Sequence, residues 1–218
     1  MKVSFREILL LVLVTIPLLL LYYVWDSIPD TIPVHYGLNG KADRFDSKNL
    51  LLWMIPLVLI LSYIILALIP RIDPKKRVDY SQGGYYSIRL AVVLFLAILF
   101  ASYILSIAGN WNFSSTVPLL IMGLLIVLGN YLPVLKPNYF IGIRTPWTLE
   151  DEKVWIKTHR FCGRLWVVGG VIGFVVHLVW SSLRFSVSVG LVMLLLIASV
   201  AYSYYTYRGK NFEKKNIK

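Results

Sequence analysis

Three histidines are the only side chains in this sequence whose ordinary titration falls near neutral pH, and they lie far apart: His35, His159 and His177. His35 precedes Asp43 and Asp46 in a segment rich in turn formers, with Pro29, Pro33, Gly37 and Gly40. A histidine beside carboxylates can bind a metal, but this spacing matches no firm ligand pattern. The expectation is a hydrogen-bonded loop histidine, with His35 and Asp43 as candidates for docking an external ligand or peptide. His177 sits inside an apolar run, after Gly169 and Gly173 at four-residue spacing, and Ser181 continues the line. Glycines at that spacing suit close helix contact, so His177 is expected to face other helices. An ionisable group at that depth is a functional candidate, and small-solute or proton-coupled transport is the chemistry it would serve. The bland alternative is a neutral imidazole bonding a neighbouring helix. Asn130 is read in the same way, as a helix-to-helix hydrogen bonder. The lone Cys162 excludes an intramolecular disulfide and a cysteine-built metal site. No zinc-protease HExxH, nucleophile elbow or phosphate-binding glycine loop occurs. No catalytic residue, cofactor or metal is expected, and the chain is not read as an enzyme.

A second concentration of polar and aromatic residues runs from Asn138 through Arg160: NYFIGIRTPWTLEDEKVWIKTHR. Pro146 disfavours helix at Thr145, and Thr148 is a natural N-cap with acidic residues in the following turn. A helix from Leu149 to about Cys162 would gather Val154, Trp155, Thr158, Phe161 and Cys162 on one side. Lys153, Lys157, Arg160 and Arg164 would form a separate basic stripe. That pattern predicts an amphipathic helix lying in the membrane interface, its apolar side toward lipid and its basic side near anionic headgroups. Arg144 carries a planar fork of donors suited to carboxylates and phosphates. Arg144, Trp147, Trp155, Lys157, His159 and Arg160 are the candidates for binding a cytoplasmic partner or lipid.

What must position these residues is a set of membrane spans. Of 218 residues, 58% are hydrophobic and only 15% charged, against about a quarter charged in soluble domains. Six runs free of Asp, Glu, Lys and Arg approach the roughly 20 residues that cross a bilayer: Ile8–Trp25, Leu50–Ile69, Leu90–Ala108, Val117–Leu135, Leu165–Trp180 and Phe185–Tyr205. The fifth is short and is expected to continue back through Gly163. Lys2 and Arg6 before the first run suggest a signal peptide, but its length and its ending in Tyr22, Tyr23 and Trp25 favour a retained span. The net charge of +11 raises nucleic-acid binding, yet the cations fall between apolar runs rather than in one patch. No direct nucleic-acid contact is therefore expected. Eighteen Lys and Arg flank one side of the six spans and four the other. By the positive-inside rule both termini and the loop Lys136–Arg164 are cytoplasmic, and Asp26–Asn49 is an outer loop. His35 and His159 then lie on opposite sides and cannot share a site. The expected fold is all-α: residues 1–218 as one polytopic transmembrane bundle of about six spans, with a cytoplasmic interfacial amphipathic helix.

The stretch GNYLPVLKPNYFIGIRTPWTLEDEKVWIKTHR resembles the signature of the SdpI-like family of bacterial toxin-immunity membrane proteins. Ile32-Pro33-Val34-His35-Tyr36, with Gly40, Asp43 and Lys48, is similar to the segment that follows the first span in that family. Arg160-Phe161-Cys162-Gly163 departs from the leucine and paired glycines expected there. The resemblance implies a plasma-membrane protein that protects its cell from a secreted peptide toxin. It further implies a signalling role, capture of a cytoplasmic transcriptional repressor at the membrane, ascribed to the family's best-known member. Neither role follows from composition or spacing.

Overall fold

A computed structural model of the chain describes residues 4–37, 39–74, 83–109, 111–180 and 184–216. Its helices are α1 (Phe5–Val24), α2 (Leu51–Ile72), α3 (Gly83–Ile107), α4 (Phe113–Tyr131), α5 (Pro146–Glu150), α6 (Glu152–Val179) and α7 (Arg184–Asn216). Between α1 and α2 stand two antiparallel strands, β1 (Thr31–Tyr36) and β2 (Ala42–Ser47). All the long helices, α5 excepted, are long and apolar enough to cross a membrane. They carry most of each of the six apolar runs seen in the sequence, and the fold is an all-α polytopic bundle with one small hairpin.

Contacts distant in sequence fix how the helices alternate. Tyr103 near the end of α3 donates to the Pro33 carbonyl at 2.5 Å, and Tyr36 packs on Phe113 at the start of α4 with centroids 5.3 Å apart. One end of the bundle therefore carries the hairpin. At the other, Arg89 near the start of α3 meets Glu7 in α1, and Trp147 meets Ser203 in α7. This second end also carries Ser4, the N-cap of α1, whose side chain accepts from the Glu7 N–H.

The tightest helix pair is α4 against α6. A Cβ on Gly163 would lie 2.7 Å from the Gly129 carbonyl oxygen and 2.8 Å from the Pro133 ring. No ordinary side chain fits there, so the two backbones touch as small-residue helix pairs do in lipid. Outward faces are apolar instead of polar: Leu19, Ile64, Val168 and Leu194 are all exposed, as expected where lipid is the solvent.

Three expectations are corrected here. The amphipathic segment is not a separate interfacial helix, because α6 runs unbroken from Glu152 to Val179. Most of its apolar side faces protein rather than lipid: Val154, Trp155, Thr158 and Cys162 are each at most 1% exposed, while Phe161 stays 39% exposed. Thr148 does not cap a helix beginning at Leu149. Thr145 caps α5, with Thr148 completing a reciprocal capping box, and Asp151 caps α6 by accepting from the Lys153 and Val154 N–H groups. Asn130 lies on an exposed face of α4 rather than bonding a neighbouring helix. The cations Lys75, Lys76 and Arg77, counted in the charge asymmetry, and Ser181, the end of the His177 line, lie outside the described residues.

Candidate functional site

The hairpin is built around a tight turn. The Gly37 N–H donates to the Lys41 carbonyl and the Gly40 N–H to the Gly37 carbonyl, both at 2.9 Å, and Gly40 takes φ +72°. L side chains resist that conformation, so glycine is suited to it. At its base Lys48 donates to the Ile28 carbonyl at 3.1 Å and pairs with Asp30 at 3.2 Å, while its ammonium lies over the Trp25 ring. The strands turn Ile32 inward, wholly buried, and leave Val34 and Phe45 exposed.

On the hairpin surface His35 Nδ1 lies 2.6 Å from Asp43 Oδ1, with each side chain about half exposed. Asp46 takes no part, because its Oδ1 accepts from the Ser47 N–H at 2.7 Å. His35 and Asp43 thus form a surface pair, and no group of three potential metal ligands occurs among the described residues. Beneath the hairpin lies an apolar cavity of about 170 Å³, which the sequence did not reveal, floored by Met54, Phe100, Tyr103 and Phe113 and roofed by Pro33 and Val34. Burial raises the Tyr36 phenol beside it above its ordinary pKa, so it remains protonated.

The segment at the opposite end is organised from within. The buried Asn138 accepts from the Phe140 and Ile141 N–H groups at 2.8 and 2.7 Å and donates to the Lys136 and Ile141 carbonyls. Gly142, at φ +113°, brings the chain against His159, whose Nε2 a Cβ there would strike. His159 Nε2 accepts from the Ile143 N–H at 3.0 Å, and Nδ1 lies 2.9 Å from the Trp155 carbonyl. A backbone N–H can only donate and a carbonyl can only accept, so the hydrogen sits on Nδ1 and the imidazole is neutral. Trp155 stacks on His159 at 3.9 Å and donates from its indole to the Leu135 carbonyl at 2.7 Å. Trp147 donates to Ser203 at 2.8 Å and packs against Tyr204 and Tyr207, tying the segment to α7.

This separates the six candidates of the segment. Trp155 and His159, at 0% and 1% exposed, cannot touch a partner or a headgroup in this state. They are a correction to the expected binding surface, because the loop folds back over them. Trp147, in α5, is half-buried against α7. Arg144, Lys157 and Arg160 are exposed, and Arg144 also donates to the Tyr139 carbonyl at 2.6 Å.

His177 is buried at 3% exposure, on the inward side of α6 as expected. Gly169 lies against Leu195 of α7, and Gly173 against Leu191 and against Met122 of α4. The cavity beneath the hairpin does not reach His177, and neither does a larger open groove between α1 and α2 lined by Leu21, Tyr22, Trp25 and Leu52.

One polar cluster escaped the sequence reading. Arg89, 1% exposed, donates to both Glu7 oxygens, at 2.7 and 3.2 Å, and Tyr63 donates to the same carboxylate at 3.0 Å. The bidentate geometry matches the guanidinium fork to the carboxylate. It joins α1, α2 and α3 where the terminal end meets the apolar region. Glu7 and Arg89 each sit just outside an uncharged run, so a search for such runs stops short of both. The usable signal was Glu7, an acidic residue placed directly before an uncharged run.

Comparison with known proteins agrees with this architecture at both ends of the chain. The SdpI/YfhL protein family matches residues 134–205, which include the inward-folded segment, α6 and most of α7. A domain of unknown function, DUF1648, matches residues 12–60, covering most of α1, the hairpin and the first part of α2. The immunity protein SdpI of Bacillus subtilis (strain 168) is 27% identical over 206 residues, covering 94% of this chain and 98% of that protein. No solved structure matches.

Proposed function

We propose, from the premise that this chain belongs to the SdpI-like family of membrane proteins, that it is an immunity protein protecting its cell from a secreted peptide toxin. The observation that carries this reading is the similarity to a protein named for immunity, which extends through almost the whole of both chains. Both termini and the Lys136–Arg164 segment face the cytoplasm, on the side bearing eighteen of the twenty-two Lys and Arg residues. The hairpin then faces outward in the plasma membrane, where a secreted peptide would meet His35, Asp43, Val34 and Phe45.

The finer part of the proposal is that the cytoplasmic face also signals, by holding a repressor protein through exposed residues such as Arg144. The support for it is geometric: the segment is held firmly from within, and Arg144 projects from it.

The test is complementation. The chain is expressed in a toxin-sensitive strain lacking its own immunity gene, with membrane abundance checked by immunoblot. Restored growth under toxin challenge is expected, and unchanged sensitivity at normal abundance would reject the immunity reading. Reporter fusions after Asn39 and at the C-terminus test the orientation. A C-terminal reporter active outside the cell would reverse it.

A further inference from the structure

Helix α6 presents one outward face whose character changes abruptly partway along. Lys153, Lys157, Arg160 and Arg164 follow one another at helical spacing and are all exposed. The same row continues as Val168, Val171, Val175 and Leu178, at 55%, 47%, 52% and 64% exposed. The helix is unbroken across the change, so a cationic strip joins directly to a lipid-facing apolar strip within one turn. None of the four cations is in an ion pair among the described residues.

Cross-helix contacts give the depth of the change. Phe161 stacks on Tyr202 of α7 at 3.8 Å, and the Trp166 indole donates to Ser199 at 3.0 Å. Trp147, Tyr204 and Tyr207 cluster around Ser203, while Tyr204 and Tyr205 are 50% and 73% exposed. A belt of Trp and Tyr is therefore level with the stretch from Lys157 to Arg164. Such belts mark the headgroup layer of a bilayer.

We infer that this face of α6 binds an anionic glycerophospholipid. Arg160 holds the phosphodiester through its planar fork, Lys157 and Arg164 flank it, and an acyl chain lies along Val168, Val171 and Val175. A helix rises 1.5 Å per residue, so Lys157 and Arg164 stand about 10 Å apart along the axis, within the reach of one headgroup. A ligand complementary to the whole face needs negative charge at one end and hydrocarbon at the other. An acidic protein supplies only the first. The inference rests on the membrane-spanning fold and is independent of the toxin reading.

The test uses the full chain in nanodiscs of phosphatidylcholine alone or mixed with phosphatidylglycerol. Lipids retained on the protein are identified by native mass spectrometry, and the thermal midpoint is read in both compositions. Selective retention of phosphatidylglycerol and a higher midpoint in its presence are expected. Arg160→Gln with Arg164→Gln should weaken retention at least about tenfold, since each cation near an anionic surface contributes about 1 kcal/mol. The midpoint in phosphatidylcholine should stay unchanged, which separates lost binding from misfolding. Lys41→Gln with Arg44→Gln, at the hairpin end, removes equal charge and should leave retention intact. Equal retention of both lipids, or equal loss from both double variants, would overturn the site. So would saturable binding of an acidic peptide in phosphatidylcholine that Arg160→Gln with Arg164→Gln abolishes, with no preference for phosphatidylglycerol. That result would assign the stripe to a protein partner.

Discussion

The two long connections of this protein solve opposite problems. In the hairpin, the backbone of two short strands holds the shape, and the side chains of His35, Asp43, Val34 and Phe45 remain in solvent. In the segment 136–150 no strand or long helix is available. Side chains satisfy the backbone there instead: Asn138, Thr145, Thr148, Trp155 and His159 all bond main-chain groups. A long, specific run of polar and aromatic residues can therefore be a folding device rather than a contact surface. Which of the two it is depends on burial.

The sharpest break in this comparison is Trp155→Ala. It removes a fully buried indole together with its bond to the Leu135 carbonyl. A loss of about 3–5 kcal/mol is expected, read as a large fall in thermal midpoint and membrane abundance. A variant of normal stability and normal abundance would mean that the segment does not depend on its buried core. At the hairpin, the corresponding link is weaker. Tyr103→Phe deletes the one hydroxyl that reaches the Pro33 carbonyl, at a cost of about 0.5–1.5 kcal/mol. Hydrogen exchange should then rise in β1 and remain unchanged in 136–150. Equal loosening of both regions would show that they are mechanically coupled.

Much of the architecture could be read from residue order because lipid imposes it. Six uncharged runs and the turn formers around Gly37 and Gly40 each follow from one local constraint. What escaped lay at the edges of those constraints. Helix α6 continues back through Gly163 as expected, but it also runs on through Arg160 to Glu152, where a separate interfacial helix was expected, because backbone hydrogen bonds do not stop where the apolar run stops. The apolar side of its first turns was identified, but periodicity alone cannot say whether such a side meets lipid or protein. The contact of Trp155 and His159 with the folded-back 136–143 segment decided that. Glu7 and Arg89 are 82 positions apart, and nothing local to either announces the other.

The smallest expected effect on stability comes from the exposed residues, and it carries the functional contrast. The His35–Asp43 pair is half exposed, so His35→Ala or Asp43→Ala should cost no more than about 1 kcal/mol. Arg144 is exposed and, among the described residues, bonds only the Tyr139 carbonyl of its own segment, so Arg144→Ala should change stability by about 0.5 kcal/mol or less. If toxin is met at the hairpin and a repressor at the other end, the two kinds of variant must fail differently. The hairpin variants should lose protection under toxin challenge and any toxin-induced response. Arg144→Ala should retain protection and lose membrane recruitment of a tagged repressor, because a guanidinium makes a directed bond to a carboxylate that alanine cannot replace. Lys157→Glu with Arg160→Glu is the contrasting variant: it reverses charge on the α6 face assigned to lipid without touching the buried core, and should retain both protection and recruitment. All variants are compared at matched abundance, with survival and recruitment measured in the same cells. If each variant loses both activities together while its thermal midpoint is normal, one conformational state shared by the two ends explains the protein better than two separate surfaces. If Arg144→Ala keeps both activities, the segment is a folding device alone, and any cytoplasmic contact must be sought on α6 or α7.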